Sequence, residues 1–367
     1  MHAHAEPLEN TCPLTLTAPS ALLMEAHTGT VIFEKNAQEA RPAASITKLM
    51  TLLLTFERLA DQTITPQDPV TVSANAARQT GSQAFLDASS TYTVEQLLKA
   101  TVISSANDAA VALAEHLAGT EESFVRQMNE KAAQLQLENT HYVNSTGLPA
   151  QGQHTCARDV ATIANALCAH PDYFKYSSVW MDTLTHPSGR VTDLTNTNRL
   201  VRFYEGCDGF KTGSTNEAKY CLCATAEKNG MRLIAVVLGV PNSQTRFDEA
   251  RAMMDWGFST YAREDVCQAG DLIGVQLPVK LGNKEQVDIA LGSGLSMLLR
   301  AGDKAGLSFD ATLPESLSAP VEKGQEVGQV HILLHGEVIA ALPAVAADDV
   351  PLPGMLDGIT RLWDNWK

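Results

Sequence analysis

Ser45-Ile46-Thr47-Lys48-Leu49-Met50-Thr51-Leu52-Leu53-Leu54 is the stretch on which the fold turns. Apolar on most sides, it predicts a helix opening at Ser45, running to about Leu59 and buried at the centre of a domain. It also holds the only S-x-x-K in the chain. One helical turn places Ser45 and Lys48 on one face, near enough to hydrogen-bond. A serine hydroxyl is a weak nucleophile until a base takes its proton, and a lysine does that only as the neutral amine. Burial and a nearby second cation both lower a lysine pKa.

Lys211-Thr212-Gly213, the only K-T-G present, supplies the second cation. Glycine there lets a strand approach a substrate closely, while the ammonium and the threonine hydroxyl can hold a carboxylate. A third element should bring a hydroxyl and an amide to the pair. Ser105-Ala106-Asn107, in a break between two helices, fits; Ser73-Ala74-Asn75 has the same spelling. Each motif alone is weak, but the three in this order, on a buried helix, an interhelical break and a strand, are far more specific.

Outward from this centre, Ala21 to Met24 and Val31 to Phe33 flank His27-Thr28-Gly29-Thr30, a hairpin pattern. Thr93 with Gln96 predicts a capping box, and Gly119 closes the helix that restarts at Asn107 or Asp108. Another helix follows from Thr120 to about Leu135. Lys228-Asn229-Gly230 joins two apolar strands, Cys221 to Ala224 and Leu233 to Leu238, and a helix from about Arg246 to Trp256 comes next. The first domain thus mixes helices with an antiparallel sheet drawn from both ends of its sequence. From about Ala269 to Ala346 the texture is short alternating strands cut by Gly and Pro, with Lys323-Gly324 a turn: a small all-β domain. The last segment spaces Met355, Leu356, Ile359, Leu362, Trp363 and Trp366 helically, as a terminal helix docked on the body or one lying at a membrane surface.

Composition narrows the function. Acidic residues outnumber basic ones 42 to 27 and no Lys/Arg run occurs, which argues against nucleic acid. Seven cysteines are too few for a disulfide scaffold; Cys221 and Cys223 read as buried small hydrophobes on one strand face. No H-E-x-x-H or other clustered ligand spacing suggests a metal, and no cofactor is implied. No run approaches a membrane span.

S-x-x-K, S-D-N and K-T-G mark penicillin-binding proteins and class A β-lactamases. Along nearly its whole length the chain resembles the low-molecular-mass penicillin-binding proteins that are serine D-alanyl-D-alanine carboxypeptidases. Pro42 to Met50, Ser105 to Ala110 and Asp208 to Gly213 carry the resemblance, with Gly152-Gln153-His154 to Arg158-Asp159 and Met231 to Ile234. It selects Ser105 over Ser73, because Asp-Ala-Ala follows. It implies an α+β fold: a β-lactamase/transpeptidase-like domain over 1–262, a small all-β domain over 263–350 and an amphipathic tail over 351–367. It also implies an extracytoplasmic enzyme, peripheral on the outer face of the cytoplasmic membrane, whose signal peptide is absent from this chain.

The resemblance further implies the chemistry. Ser45 attacks the penultimate D-alanine carbonyl with Lys48 as base, and the Ser45 and Ser214 N–H groups hold the oxyanion. Ser105 passes the proton to the leaving D-alanine and Asn107 orients Lys48. Lys211, Thr212 and Arg246 receive the terminal carboxylate, with Gly213 in the same strand. β-Lactams would acylate Ser45. An endopeptidase on cross-links would use the same residues, and a penicillin-acylated sensor would use them without turnover. A β-lactamase would lack the extra β-domain and tail. Arg246 read alone could pair with Asp248 or Glu249, Asp208 reads as a turn residue, and His154 as structural. Ala218-Lys219-Tyr220 departs from the family's usual Ala-Gly-Tyr, which bears on strand approach or substrate preference.

Overall fold

The computed structural model describes residues 12–354, so the amphipathic pattern from Met355 onward lies outside the described residues. The chain divides into two compact units, one ending at Ser259 and the other beginning at Thr260.

In the first unit five antiparallel strands run in the order Val31–Lys35, Ser20–Glu25, Met231–Val240, Lys219–Lys228, Cys207–Thr215. Strands from both ends of the segment meet, as the sequence predicts. Asn229 (φ 52°) and Gly230 (φ 75°) form the two-residue turn between Lys228 and Met231, the left-handed pair that a tight hairpin requires. The sheet is covered on both faces because its strands are apolar in consecutive positions. Leu22, Met24, Ile234 and Val236 join the main helical core. Leu23 and Leu233 face Gly257, where any added Cβ would lie 3.0 and 2.6 Å from them. Helix Ser243–Thr260 therefore packs directly on that second face, and it begins three residues before the expected start. Asn242 Oδ1 accepts the Thr245 N–H at 2.9 Å and caps it.

Helix Lys48–Ala60 lies in the core, with Leu49, Met50, Leu52, Leu53 and Phe56 buried. Ser45 does not open this helix; it sits in a preceding 3₁₀ turn, Ala44–Thr47, entered through Ala44 at φ 50°. That turn still stacks Ser45 over Lys48, since three residues make one 3₁₀ turn. The capping box forms in both directions at Thr93 and Gln96 (2.9 and 3.2 Å), starting helix Val94–Ile103. Helix Asn107–Ala118 stops at Gly119, φ 81°. Thr120 caps Glu121–Gln134 through the Ser123 N–H. The hairpin Met181–Thr185/Val191–Thr195 was not expected. Only Leu184 and Leu194 of its side chains are buried, too few to make an alternating pattern.

The second unit is all-β. Six strands run in the order Leu307–Thr312, Glu326–Leu334, Glu337–Ala346, Gln286–Leu291, Leu272–Lys280, Leu317–Ser318, beside a separate pair, Tyr261–Cys267 with Leu295–Arg300. The Lys323-Gly324 turn forms, Gly324 at φ 83°. Ile289, Ile332, Ala344 and Val350 centre its core. Among the described residues no helix is long and apolar enough to cross a membrane.

Candidate active site

Strand Cys207–Thr215 is an edge of the first sheet, and its partner on the open side is the backbone that leads into Ser45. A Cβ on Gly213 would stand 2.5 Å from the Ala43 carbonyl and 3.0 Å from the Ser45 nitrogen. Glycine was expected here to admit substrate; the structure shows that it admits the Ala43–Ser45 backbone. The Lys-Thr-Gly strand and the Ser45 N–H are thereby fixed side by side.

Lys48 is fully buried. Its Nζ lies 3.0 Å from Ser45 Oγ, 2.6 Å from Asn107 Oδ1 and 2.7 Å from the Thr146 carbonyl. Burial first, then the nearby Lys211 charge, pull its pKa well below the usual lysine range, while Asp108 opposes them. Asn107 is oriented in turn: its Nδ2 donates to the Thr80 carbonyl at 2.5 Å, leaving Oδ1 for Lys48. The Asn107 N–H donates to Ser82 O at 2.7 Å. Its neighbour Asp108 accepts from the Ala84 and Leu86 N–H groups at 3.0 Å each, anchoring that loop. Ser105, at φ 64° and 3% exposed, has a buried Oγ without a hydrogen-bond partner. Ser73, the rival spelling, is only a helix cap, accepting from Ala76 N at 2.9 Å.

Lys211 is also fully buried, and its Nζ has no hydrogen-bond partner. Burial and the Arg246 charge bring its pKa down to about 7. Thr212 is 5% exposed and Ser214 is exposed. Arg246 does not pair with Asp248 or Glu249. Its Nη1 donates to the Gly213 and Cys221 carbonyls (3.2 and 3.3 Å) and its Nη2 to Ser243 Oγ (3.1 Å), while burial lowers its pKa to about 10. Glu249 instead accepts from Thr17 and Ala18.

The remaining expectations resolve simply. Asp208 is not a turn residue: it lies in strand Cys207–Thr215 and forms a two-pronged ion pair with Arg232 at 2.7 and 2.8 Å. Cys221 and Cys223 are buried in the helical core, and burial raises the Cys221 thiol to about 11. Lys219 is exposed at φ 55°, a left-handed position that a glycine would adopt without strain, and it pairs with Thr215 at the end of the Lys-Thr-Gly strand. His154 Nδ1 donates to the Gly152 carbonyl across 2.8 Å. Sequence reasoning missed Thr80, Ser82 and Thr146, which act through main-chain carbonyls. It also missed Gly147, at φ 88°, where any Cβ would collide with the Ala44 carbonyl.

A serine–lysine pair on a buried helix start, beside an edge strand carrying a second buried lysine, defines a serine acyl-transfer domain, here followed by an all-β unit. Residues 6–242 match the family model described as D-alanyl-D-alanine carboxypeptidase. Residues 261–352 match that of the penicillin-binding protein 5 C-terminal domain. The chain is 38% identical to D-alanyl-D-alanine carboxypeptidase DacF of Bacillus subtilis, over 98% of this chain and 92% of that one. It is 35% identical to DacC of Escherichia coli, over 95% and 89% of the two chains. The structure of penicillin-binding protein 5 from Haemophilus influenzae superposes with a TM-score of 0.80 at 31% identity, covering 93% and 99%. The chain belongs to the D-alanyl-D-alanine carboxypeptidase family, serine enzymes of the penicillin-binding type that work on the cell wall outside the cytoplasm.

Proposed function

We propose that Ser45 is the nucleophile, and Lys48 its general base, in removing the terminal D-alanine from peptidoglycan stem peptides. What supports this most is the arrangement of acceptors around Lys48 Nζ. Asn107 Oδ1 and the Thr146 carbonyl can only accept, so they take the two protons of the neutral amine and leave its lone pair for the Ser45 hydroxyl. The lowered pKa makes that neutral form available.

As Oγ bonds to the penultimate D-alanine carbonyl carbon, its proton passes to Lys48 Nζ. The oxyanion is received by the N–H groups of Ser45 and Ser214, which Gly213 holds close together. Collapse breaks the C–N bond, and Ser105, whose hydroxyl is free of other partners, relays a proton to the departing D-alanine amine. Water then attacks the ester and restores Ser45. Lys211 and the Thr212 hydroxyl take the substrate's terminal carboxylate. Arg246, its Nη1 already engaged by main-chain carbonyls and its Nη2 by Ser243 Oγ, adds positive field behind Gly213.

Release of D-alanine from an acyl-Lys-D-Ala-D-Ala peptide, with a labelled penicillin run in parallel, tests this. The intact chain releases D-alanine and takes the label; Ser45→Ala does neither. Labelling without release from this peptide would favour an endopeptidase or a sensor, and release surviving in Ser45→Ala would refute the nucleophile assignment.

The compartment is extended by the tail. We propose that residues 351–367 hold the enzyme on the outer face of the cytoplasmic membrane through their apolar stripe. Cosedimentation with neutral vesicles should be lost when the chain is truncated after Pro353.

A further inference from the structure

We infer that Glu217 selects substrates by the side chain on the acyl side of the scissile bond, favouring a stem residue with a free amine. The inference rests on the catalytic reading above, which sets the direction of the substrate. With the terminal carboxylate at Lys211 and Thr212 and the scissile carbonyl between Ser45 and Ser214, a peptide lies along strand Cys207–Thr215. At roughly 3.3 Å per residue, the amino acid before the penultimate D-alanine then reaches the level of Thr215 and the turn beyond it.

A small pocket opens at that place. Its walls include Ala43, Ala44, Leu148, His154, Thr215 and Glu217, so it adjoins the Ser45 turn on one side and the end of the Lys-Thr-Gly strand on the other. Glu217 is the only carboxylate and the only formal charge lining it, with no Lys or Arg in the wall. Its side chain is exposed and makes no ion pair among the described residues. His154, the other titratable wall residue, is held by an Nδ1–H that it donates to the Gly152 carbonyl at 2.8 Å. Leu148 and the two alanines suit the methylene stem of a long amine. The lining mixes these apolar groups with the Thr47, Thr155 and Thr215 hydroxyls and the Gln153 amide, and Glu217 is its single anionic group, which favours an alkylammonium over a carboxylate. Lys219, opposite Thr215 in the same turn, tempers the field without occupying the pocket wall.

The test compares kcat/KM for D-alanine release from an acyl-L-Lys-D-Ala-D-Ala peptide with a free ε-amine and from its ε-acetylated counterpart. An ion pair this exposed is worth about three- to fivefold, so the intact enzyme should prefer the free amine by that factor, mainly through KM and less so in high salt. Glu217→Gln should bring the ratio to about one while leaving the acetylated peptide's rate unchanged, and Glu217→Lys should invert it. A ratio that is unchanged in Glu217→Gln, or is one in the intact enzyme, overturns the inference alone. No release from either peptide would overturn the carboxypeptidase reading and the inference with it.

Discussion

Between Ser20 and Glu249 the fold buries Lys48, Lys211, Asp108, Asp159 and Arg246; from Thr260 onward, every buried side chain among the described residues belongs to the hydrophobic set. Desolvating an ammonium costs several kcal/mol unless it is well paired, so a chain that packs one unit without such groups is not short of apolar alternatives. The first unit carries two lysines at that cost, and both converge on Ser45. Lys48 Nζ has three hydrogen-bond partners and Lys211 Nζ has none. Two buried amines brought this close together mark a working site, whereas the second unit's core of Ile289, Ile332 and Ala344 does what a core alone does.

The contrast can be broken most directly at Ser45. Ser45→Ala should lower D-alanine release at least about a thousandfold, on the order of 4 kcal/mol of barrier, while the circular dichroism spectrum stays unchanged. Next, Ile289→Ala in the second unit should cost about 3–4 kcal/mol of stability by urea unfolding. Ser45 acylation by penicillin at low temperature should keep its rate, and a loss there would show that the units share more than a chain.

Two glycines sharpen the same comparison. Gly147 (φ 88°) abuts the Ala44 carbonyl, whereas Gly336 (φ 90°) faces open space. Gly147→Ala should cost about 3 kcal/mol and displace Ser45, while Gly336→Ala should cost only the left-handed penalty of about 1–2 kcal/mol, with normal turnover. Denaturation midpoints and initial rates measured together separate the two.

The smallest effect is in pH. Lys211 at about 7 in the free enzyme, against an ordinary 10.5, holds fewer protons folded than unfolded, so its contribution makes stability rise with pH between those values. Substrate capture runs the other way. The carboxylate needs the ammonium form, so kcat/KM should fall about tenfold per pH unit above about 7. In kcat that limb should move to higher pH, because a bound carboxylate raises the Lys211 pKa. On the proposed mechanism the acid limb belongs to Lys48, whose protonation would remove the base. A single alkaline limb common to both profiles would contradict the role of Lys211.

Much of this was legible beforehand, and the exceptions share a cause. The buried helix, the capping box at Thr93, the Asn-Gly hairpin and the alternating β unit all depend on side-chain type and spacing, which a sequence displays. The Ser45 turn was read as helix because 3₁₀ and α geometry use the same residues. Thr146, Thr80 and Ser82 went unseen because each contributes a carbonyl, which every residue owns. Gly147 had a signal, an isolated glycine after Asn144-Ser145-Thr146, but its reason lies in a contact with Ala44 over a hundred positions away.

The 3.0 Å separation of Lys48 Nζ from Ser45 Oγ has a consequence for inhibitor chemistry. An uncharged amine is itself a nucleophile, so a compound that esterifies Ser45 meets a second reactive atom within hydrogen-bonding distance of the first. A warhead with two electrophilic centres would bridge serine to lysine. That cross-link would consume the base needed to activate water for its own release, turning a slowly reversible block into a permanent one.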